Sequence, residues 1–197
     1  MAKLPTLQHH RHRGLPLLQG ELDGLCGVYA VINALSWLIG RRRRVRRTSL
    51  GLLFAYLVHA LEEEAGALEA LIDGIAVRSI LTMLGVAGLI VKAEHGVELT
   101  VHRPFLRQAK PPLAALITEM REGGIRGDTA YLIGIGGWSN HWSVCIGASA
   151  ASLRLRDSCG MRHLRLANCR MRHEPSLGTA TQYLLSSREC IRIVALD

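Results

Sequence analysis

Aromatic residues are scarce in this chain of 197 residues, which has two Phe, four Tyr and three Trp. The core must therefore be mainly aliphatic, and the chain offers no aromatic platform on which nucleic-acid bases could stack. Charged residues make up 20% of the sequence and hydrophobic residues 49%. That balance excludes a largely disordered protein and predicts one folded domain.

Long apolar runs are also missing. The longest, at residues 80–91, is interrupted by Thr82 and two glycines, so it is too short to span a bilayer. The first twenty residues lack the apolar core of a signal peptide. Five cysteines are an odd number in a chain too long to be a disulfide miniprotein, which favours reduced thiols. We expect a cytoplasmic protein with no membrane span and no cofactor.

Lysine accounts for only three of the 24 basic residues, and the formal net charge is +8. Six of the 21 arginines lie in one loop, Arg41–Arg47. No recognition helix or RNA-binding motif accompanies them, so we do not expect a nucleic-acid partner. An acidic partner that binds at this loop is kept as an alternative. Residues 1–18, which include His9, His10 and His12, are interpreted as a mobile basic segment; a metal-binding tail is the alternative.

The hydrophobic pattern places helices before strands. A segment that is apolar almost all round, at residues 26–39, predicts a helix buried in the core. Further helices are predicted at 48–64, 67–84 and 113–122, and short strands at 129–135, 141–147, 152–156, 162–166 and 189–196. This order indicates an α+β fold, with a helical N-terminal part packed on a C-terminal antiparallel sheet. Residues 19–197 are expected to form a single domain.

Cys26 stands where the buried helix begins, after the turn signal Asp23-Gly24. Unpaired backbone N–H groups and the positive end of the helix dipole favour a thiolate there, which is the form that acts as a nucleophile. The alternative is a small buried hydrophobic residue. Gln19, seven positions earlier, could donate to a developing oxyanion together with the Cys26 N–H.

His141 and Asp157 complete this constellation. His141 follows Gly136-Gly137 and opens a strand, which is a suitable position for a partly shielded base. Asp157 ends the next strand, where its carboxylate can fix the tautomer of the imidazole. The alternatives are that His141 only packs between its neighbours and that Asp157 only starts a turn. Other histidines, such as His59, His95 and His102, are interpreted as structural.

The order of Gln19, Cys26-Gly27, His141 and Asp157 resembles the papain-like cysteine peptidase superfamily, and is most similar to its compact bacterial members of the C39 type. The resemblance implies a papain-like fold with Cys26 on the central helix and His141 and Asp157 on the sheet. It also implies that these residues act as nucleophile, base and orienting residue, with Gln19 as oxyanion donor. The Gln19–Cys26 spacing is one residue longer than is usual there. The Asp23–Cys26 run also resembles ovarian-tumour-type deubiquitinases, another papain-like branch.

The expected activity is cleavage of a peptide or amide bond in a peptide or protein substrate, through a thioester intermediate. The same residues would serve a deamidase or an acyltransferase. A third hypothesis is a binding module without catalysis that uses the Arg41–Arg47 loop.

A second cluster, Cys159, His163, Cys169 and His173, repeats Cys-x3-His at a period of ten. Four such ligands could hold a structural zinc ion. Because the segment alternates apolar and basic residues, we favour an ordinary strand without metal.

Overall fold

The computed structural model describes residues 15–19, 24–137, 140–175 and 183–196. The five α-helices are α1 (Cys26–Gly40), α2 (Arg47–Ala65), α3 (Ala67–Asp73), α4 (Val77–His95) and α5 (Leu113–Arg126). The strands are β1 (Glu98–His102), β2 (Thr129–Gly137), β3 (His141–Ala148), β4 (Ser152–Leu155), β5 (His163–Arg165), β6 (Cys169–Met171) and β7 (Tyr183–Leu196). The described chain is therefore α+β, with most of its helices before its sheet, as the sequence pattern indicates.

The seven strands form one sheet in the order β1-β7-β2-β3-β4-β5. Neighbours along this path are antiparallel, while the short β6 pairs in parallel with the start of β7. β2 and β3 lie in the middle and are buried on both faces. β4 and β5 instead alternate between buried and exposed residues, as their alternation of apolar and basic residues indicates for strands with one face in solvent.

Alternate residues of the central strands contribute to two cores. Ala130 and Leu132 of β2 join the core formed with α1, α2 and α4 on one face of the sheet. Tyr131 and Ile133 join the second core, formed with α5 on the other face. α1 is buried nearly all round, because it lies between the sheet and the other helices. This packing explains why the sequence of α1 is apolar almost all round.

Three helix boundaries differ from the predictions, one of them being the end of α4, which continues to His95 rather than stopping at residue 84. The helix predicted at 67–84 is two helices, since Gly74 adopts φ +84° and ends α3, a conformation open mainly to glycine. α5 continues through Gly123-Gly124 to Arg126. Those glycines allow close packing rather than ending the helix: a Cβ on Gly124 would lie 2.6 Å from the Gly147 Cα of β3.

The predicted strands are found, but three features of the sheet are not in the predictions. β1 and β6 were not predicted as strands, and β7 begins at Tyr183 rather than at residue 189. β1 is half exposed and mixes apolar with polar residues, so its pairing with β7 rather than its own pattern makes it a strand. Among the described residues, no helix combines the length and the hydropathy needed to cross a membrane.

Candidate active site

Cys26 is the first residue of α1 and is 6% exposed. The side chain of the N-cap residue, Leu25, makes no capping hydrogen bond, and the first N–H groups of a helix have no acceptor within the helix itself. The turn before it packs tightly, since a Cβ on Gly24 would lie 2.5 Å from the carbonyl oxygen of Leu71 in α3. Glycine at this position lets the chain enter α1 against α3, and this approach places the thiol at the edge of the core.

His141 and Asp157 meet at the adjacent edge of the sheet. His141 opens β3, Asp157 follows β4, and the two strands are neighbours. The imidazole Nε2 lies 2.6 Å from Asp157 Oδ2. The other carboxylate oxygen, Oδ1, accepts the backbone N–H groups of Cys159 at 2.8 Å and of Met161 at 3.2 Å. Asp157 is thus held on both oxygens and cannot rotate freely.

Both members of this pair are almost completely enclosed, with side chains 8% (His141) and 0% (Asp157) exposed. Burial alone would lower the pKa of His141, but the hydrogen bond to Asp157 and the contact with Cys26 raise it to about 10. Burial would likewise raise the pKa of Asp157, but the bond to His141 and the nearby Ser143 hydroxyl bring it below its usual value. At neutral pH the pair is therefore an imidazolium held by a carboxylate.

Cys26 lies close to the same imidazole. Its sulfur interacts with the ring of His141, and since Nε2 is taken by Asp157, Nδ1 is the nitrogen left to face the thiol. The backbone N–H of Trp142 donates to Cys26 Sγ at 3.4 Å. The Trp142 indole N–H donates to the Ile75 carbonyl at 2.7 Å. β3 therefore carries His141, binds the sulfur of Cys26 and fixes the loop between α3 and α4.

Gln19 lies beside the loop that carries Asp157. Its backbone N–H donates to the carbonyl of Ser158 at 2.9 Å, and the Ser158 hydroxyl donates to its side-chain Oε1 at 3.3 Å. Leu17, two residues before Gln19, is held by the fully buried side chain of Asn33. The Leu17 N–H donates to Asn33 Oδ1 at 2.7 Å, and the Asn33 amide group donates to the Leu17 carbonyl at 3.0 Å. The structure thus anchors the segment at residues 15–19 to α1 and to the Asp157 loop.

The structure brings together three of the four predicted site residues and holds Gln19 against Ser158, the residue after Asp157. Cys26, His141 and Asp157 form one continuous chain of contacts. Gln19 joins it through Ser158. Asp23 of the turn signal, and residues 1–14 of the segment predicted to be mobile, with His9, His10 and His12, lie outside the described residues.

A cleft of about 770 Å³ opens at Cys26 and His141. One wall comes from the end of α2, from α3 and from the start of α4, and the other from β2 and β7. The helical wall is acidic, and carries Glu62, Glu63, Glu64, Glu69 and Asp73. Although the whole chain is basic, the surface next to the thiol therefore attracts cations.

One neighbour of the imidazole, the thiol of Cys159, is not among the catalytic residues predicted from the sequence. Its Sγ lies 3.9 Å from His141 Nδ1, and the side chain is exposed. Only its position two residues after Asp157 could have indicated this. The proposed zinc cluster at Cys159, His163, Cys169 and His173 is not assembled: among the described residues, the group close enough to share one ion is His141, Asp157 and Cys159.

The remaining cysteines are enclosed in the core or in strand packing. Burial raises the pKa of Cys145 and of Cys169 to about 12, and it raises that of Cys190 as well. These three thiols stay protonated at neutral pH and are poor nucleophiles.

The basic loop lies away from the site. It follows the last residue of α1, whereas Cys26 is the first, so about 20 Å of helix separates them. Arg42 donates to the Ala195 carbonyl at 2.9 Å, and Arg41 stacks on Trp37 with 5.3 Å to the ring centroid. Part of the loop's charge therefore serves the fold.

Comparisons with known proteins give no independent identification: no family model, curated protein or solved structure matches this chain significantly.

Proposed function

We propose that the protein is a thiol-dependent hydrolase of peptide or amide bonds, with a papain-like arrangement of its catalytic groups. The observation that carries this proposal is the alignment of Cys26, His141 and Asp157, with 2.6 Å between Nε2 and Oδ2, at one end of a cleft. A buried ion pair is costly to maintain. Its place beside a thiol at a helix N-terminus is what nucleophilic catalysis requires.

The reaction begins with attack of the Cys26 thiolate on the substrate carbonyl carbon. A C–S bond forms, and the carbonyl electron pair moves to oxygen. The Cys26 N–H and the Gln19 carboxamide are assigned to this oxyanion. As the intermediate collapses, the C–N bond breaks and His141 Nδ1 gives its proton to the leaving amine. Water, deprotonated by His141, then cleaves the thioester and releases a carboxylic acid and the Cys26 thiol.

Asp157 contributes without touching the substrate. Its carboxylate accepts the Nε2 proton, so the ring presents Nδ1 to Cys26 in both protonation states. The two backbone N–H groups on Oδ1 hold the carboxylate in this orientation. Asp157 is therefore a positioning residue.

The charge of the cleft indicates which substrates to test first. Acidic side chains on the helical wall favour chains with Lys or Arg near the scissile bond. On the opposite wall, Arg172 is paired with Glu189 at 3.3 Å, and this pairing reduces its ability to offset the acidic charge. We therefore expect cationic peptides to be cleaved before neutral or acidic ones.

A proteome-derived peptide library tests the proposal. Wild-type protein should generate new peptide termini, enriched in basic residues around the cleavage site, and Cys26→Ala should generate none. Conversion of Gln to Glu without chain cleavage would identify a deamidase, and peptide ligation an acyltransferase. If wild-type and Cys26→Ala digests were identical, with neither product, the proposed hydrolase would be wrong.

A further inference from the structure

The thiol of Cys159 has no role in acyl transfer, yet it lies 3.9 Å from the catalytic imidazole nitrogen, Nδ1 of His141. Its backbone N–H is bound to Asp157 at 2.8 Å, which fixes this residue beside the ring. Cys26 reaches the same ring. Two thiols, one exposed and one at the head of α1, therefore share one imidazole.

This arrangement suits a thiophilic metal ion. Zinc binds imidazole nitrogen at about 2.0–2.1 Å and thiolate sulfur at about 2.3 Å, so tetrahedral geometry separates the two donor atoms by about 3.6 Å. The separation of 3.9 Å between Cys159 Sγ and His141 Nδ1 is within a small side-chain rotation of that value. Imidazole and thiolate donors select zinc over magnesium or calcium.

The hydrogen bond on the other ring nitrogen fits as well. A histidine that ligates zinc typically donates its second N–H to a carboxylate, which orients the ring and strengthens the ligand. Asp157 accepts such a bond from Nε2 at 2.6 Å. The contact that positions the base for catalysis would thus also support a metal on Nδ1.

We propose that zinc binds between His141 Nδ1 and Cys159 Sγ, with water completing its coordination, and reversibly blocks the active site by occupying the nitrogen that serves Cys26. Binding releases the protons that these two donor atoms carry. The regulatory part of this inference rests on the proposed function, whereas metal binding can be measured without substrate.

Calorimetric titration of the chelator-treated, reduced protein with zinc chloride tests the site. We use a background in which His9, His10 and His12 are replaced by Ala, so that the N-terminal histidines do not contribute. One equivalent should bind, and Cys159→Ser should weaken the affinity at least about tenfold. Unchanged affinity in this variant would overturn the proposal.

Cys169→Ser is the matched control, because Cys169 is a partly exposed thiol whose Sγ contacts the Arg165 carbonyl instead of the imidazole. It should bind zinc like the parent protein. Cobalt replaces zinc as a coloured probe: its thiolate charge-transfer absorption should be lost in Cys159→Ser and kept in Cys169→Ser. A band that persists in Cys159→Ser would contradict the assigned ligand.

The regulatory step has its own readout. Zinc should slow alkylation of Cys26 and cleavage of peptides, and a chelator should restore both; in Cys159→Ser, half-inhibition should need at least about tenfold more zinc. Zinc that binds but leaves alkylation of Cys26 unchanged, or that accelerates cleavage, would refute the inhibitory role. A protein that binds zinc through Cys159 but never cleaves peptides would refute the proposed function alone.

Discussion

Replacement of Asp157 by Asn tests whether this carboxylate positions His141 as the proposed base. In the native protein, Oδ1 accepts two backbone N–H groups and Oδ2 accepts the His141 Nε2 proton. The single carbonyl oxygen of Asn should stay with the two backbone donors, and its amide group would then face Nε2. Neutral imidazole would be held with its proton on Nδ1, where it cannot act as a base towards Cys26.

The size of the effect follows from the bond that is lost. A hydrogen bond to a charged group contributes about 1.5–3 kcal/mol, and about 1.4 kcal/mol corresponds to a factor of ten. We therefore expect kcat/KM of Asp157→Asn to fall at least roughly 10- to 150-fold, mainly through kcat. The wrong tautomer adds to this loss.

The kcat/KM for peptide cleavage and the proton NMR spectrum together test this prediction. The low-field resonance of the Nε2 proton should be present in the wild type and absent in the variant. Asp128→Asn is the matched control, since Asp128 bonds to Thr129 at the opposite end of β2 and should leave both readouts unchanged. A folded Asp157→Asn protein that retains more than about a third of the wild-type kcat/KM would refute the role given to the carboxylate.

The other predictions concern stability and the anchored N-terminal segment. Gly124→Ala should lower the free energy of unfolding by about 1–3 kcal/mol, because its Cβ meets the backbone of Gly147 at 2.6 Å. Gly51→Ala, with open space around it in α2, should instead raise that free energy by about 0.4–1 kcal/mol. Urea denaturation measures both variants, and an equal loss of stability in both would contradict the close packing of Gly124 against Gly147. Because the pKa of His141 is raised to about 10, its contribution to stability is complete below its unfolded pKa of about 6.5 and is lost as the pH rises towards 10. Urea midpoints in chelator should therefore fall over that interval, and a fall of the same size in His141→Gln would show that another group causes it. Asn33→Ala should cost about 1–3 kcal/mol and speed proteolysis before residue 24, because it frees the backbone of the N-terminal segment; an unchanged proteolysis rate would refute the anchoring.

Much of the architecture can be predicted from the sequence, because single local patterns of apolar residues determine it. The all-apolar segment after Cys26 can be stable only inside a core, and α1 lies there. β2 and β3 appear at the predicted positions, because their apolar runs are bounded by glycines. Local signals of this kind also brought Cys26, His141 and Asp157 to attention.

What the sequence could not predict depends on distant packing. Gly123 follows the predicted end of a helix at residue 122, but α5 continues through it, and a Cβ there would collide with the hydroxyl of Tyr131. Gly74 lies inside a segment predicted as one helix, yet its positive φ separates α3 from α4 and shapes the acidic wall. Neither role is visible without the partner element.

The surroundings of the site show the same limit. The contact between Cys159 and His141, and that between Ser158 and Gln19, arise from the turn after β4. No periodicity places these side chains. The bond from the Trp142 N–H to Cys26 Sγ likewise joins residues 116 positions apart.

Alkylation of the native protein by iodoacetamide at neutral pH, in chelator and mapped by peptide mass spectrometry, tests most directly whether Cys26 is an activated nucleophile. Cys26 should react faster than a cysteine in a short unstructured peptide, and His141→Ala should slow it at least about tenfold, whereas buried Cys145 and Cys190 should remain unmodified. If Cys26 reacts no faster than the peptide thiol, or at the same rate in His141→Ala, the central claim is contradicted.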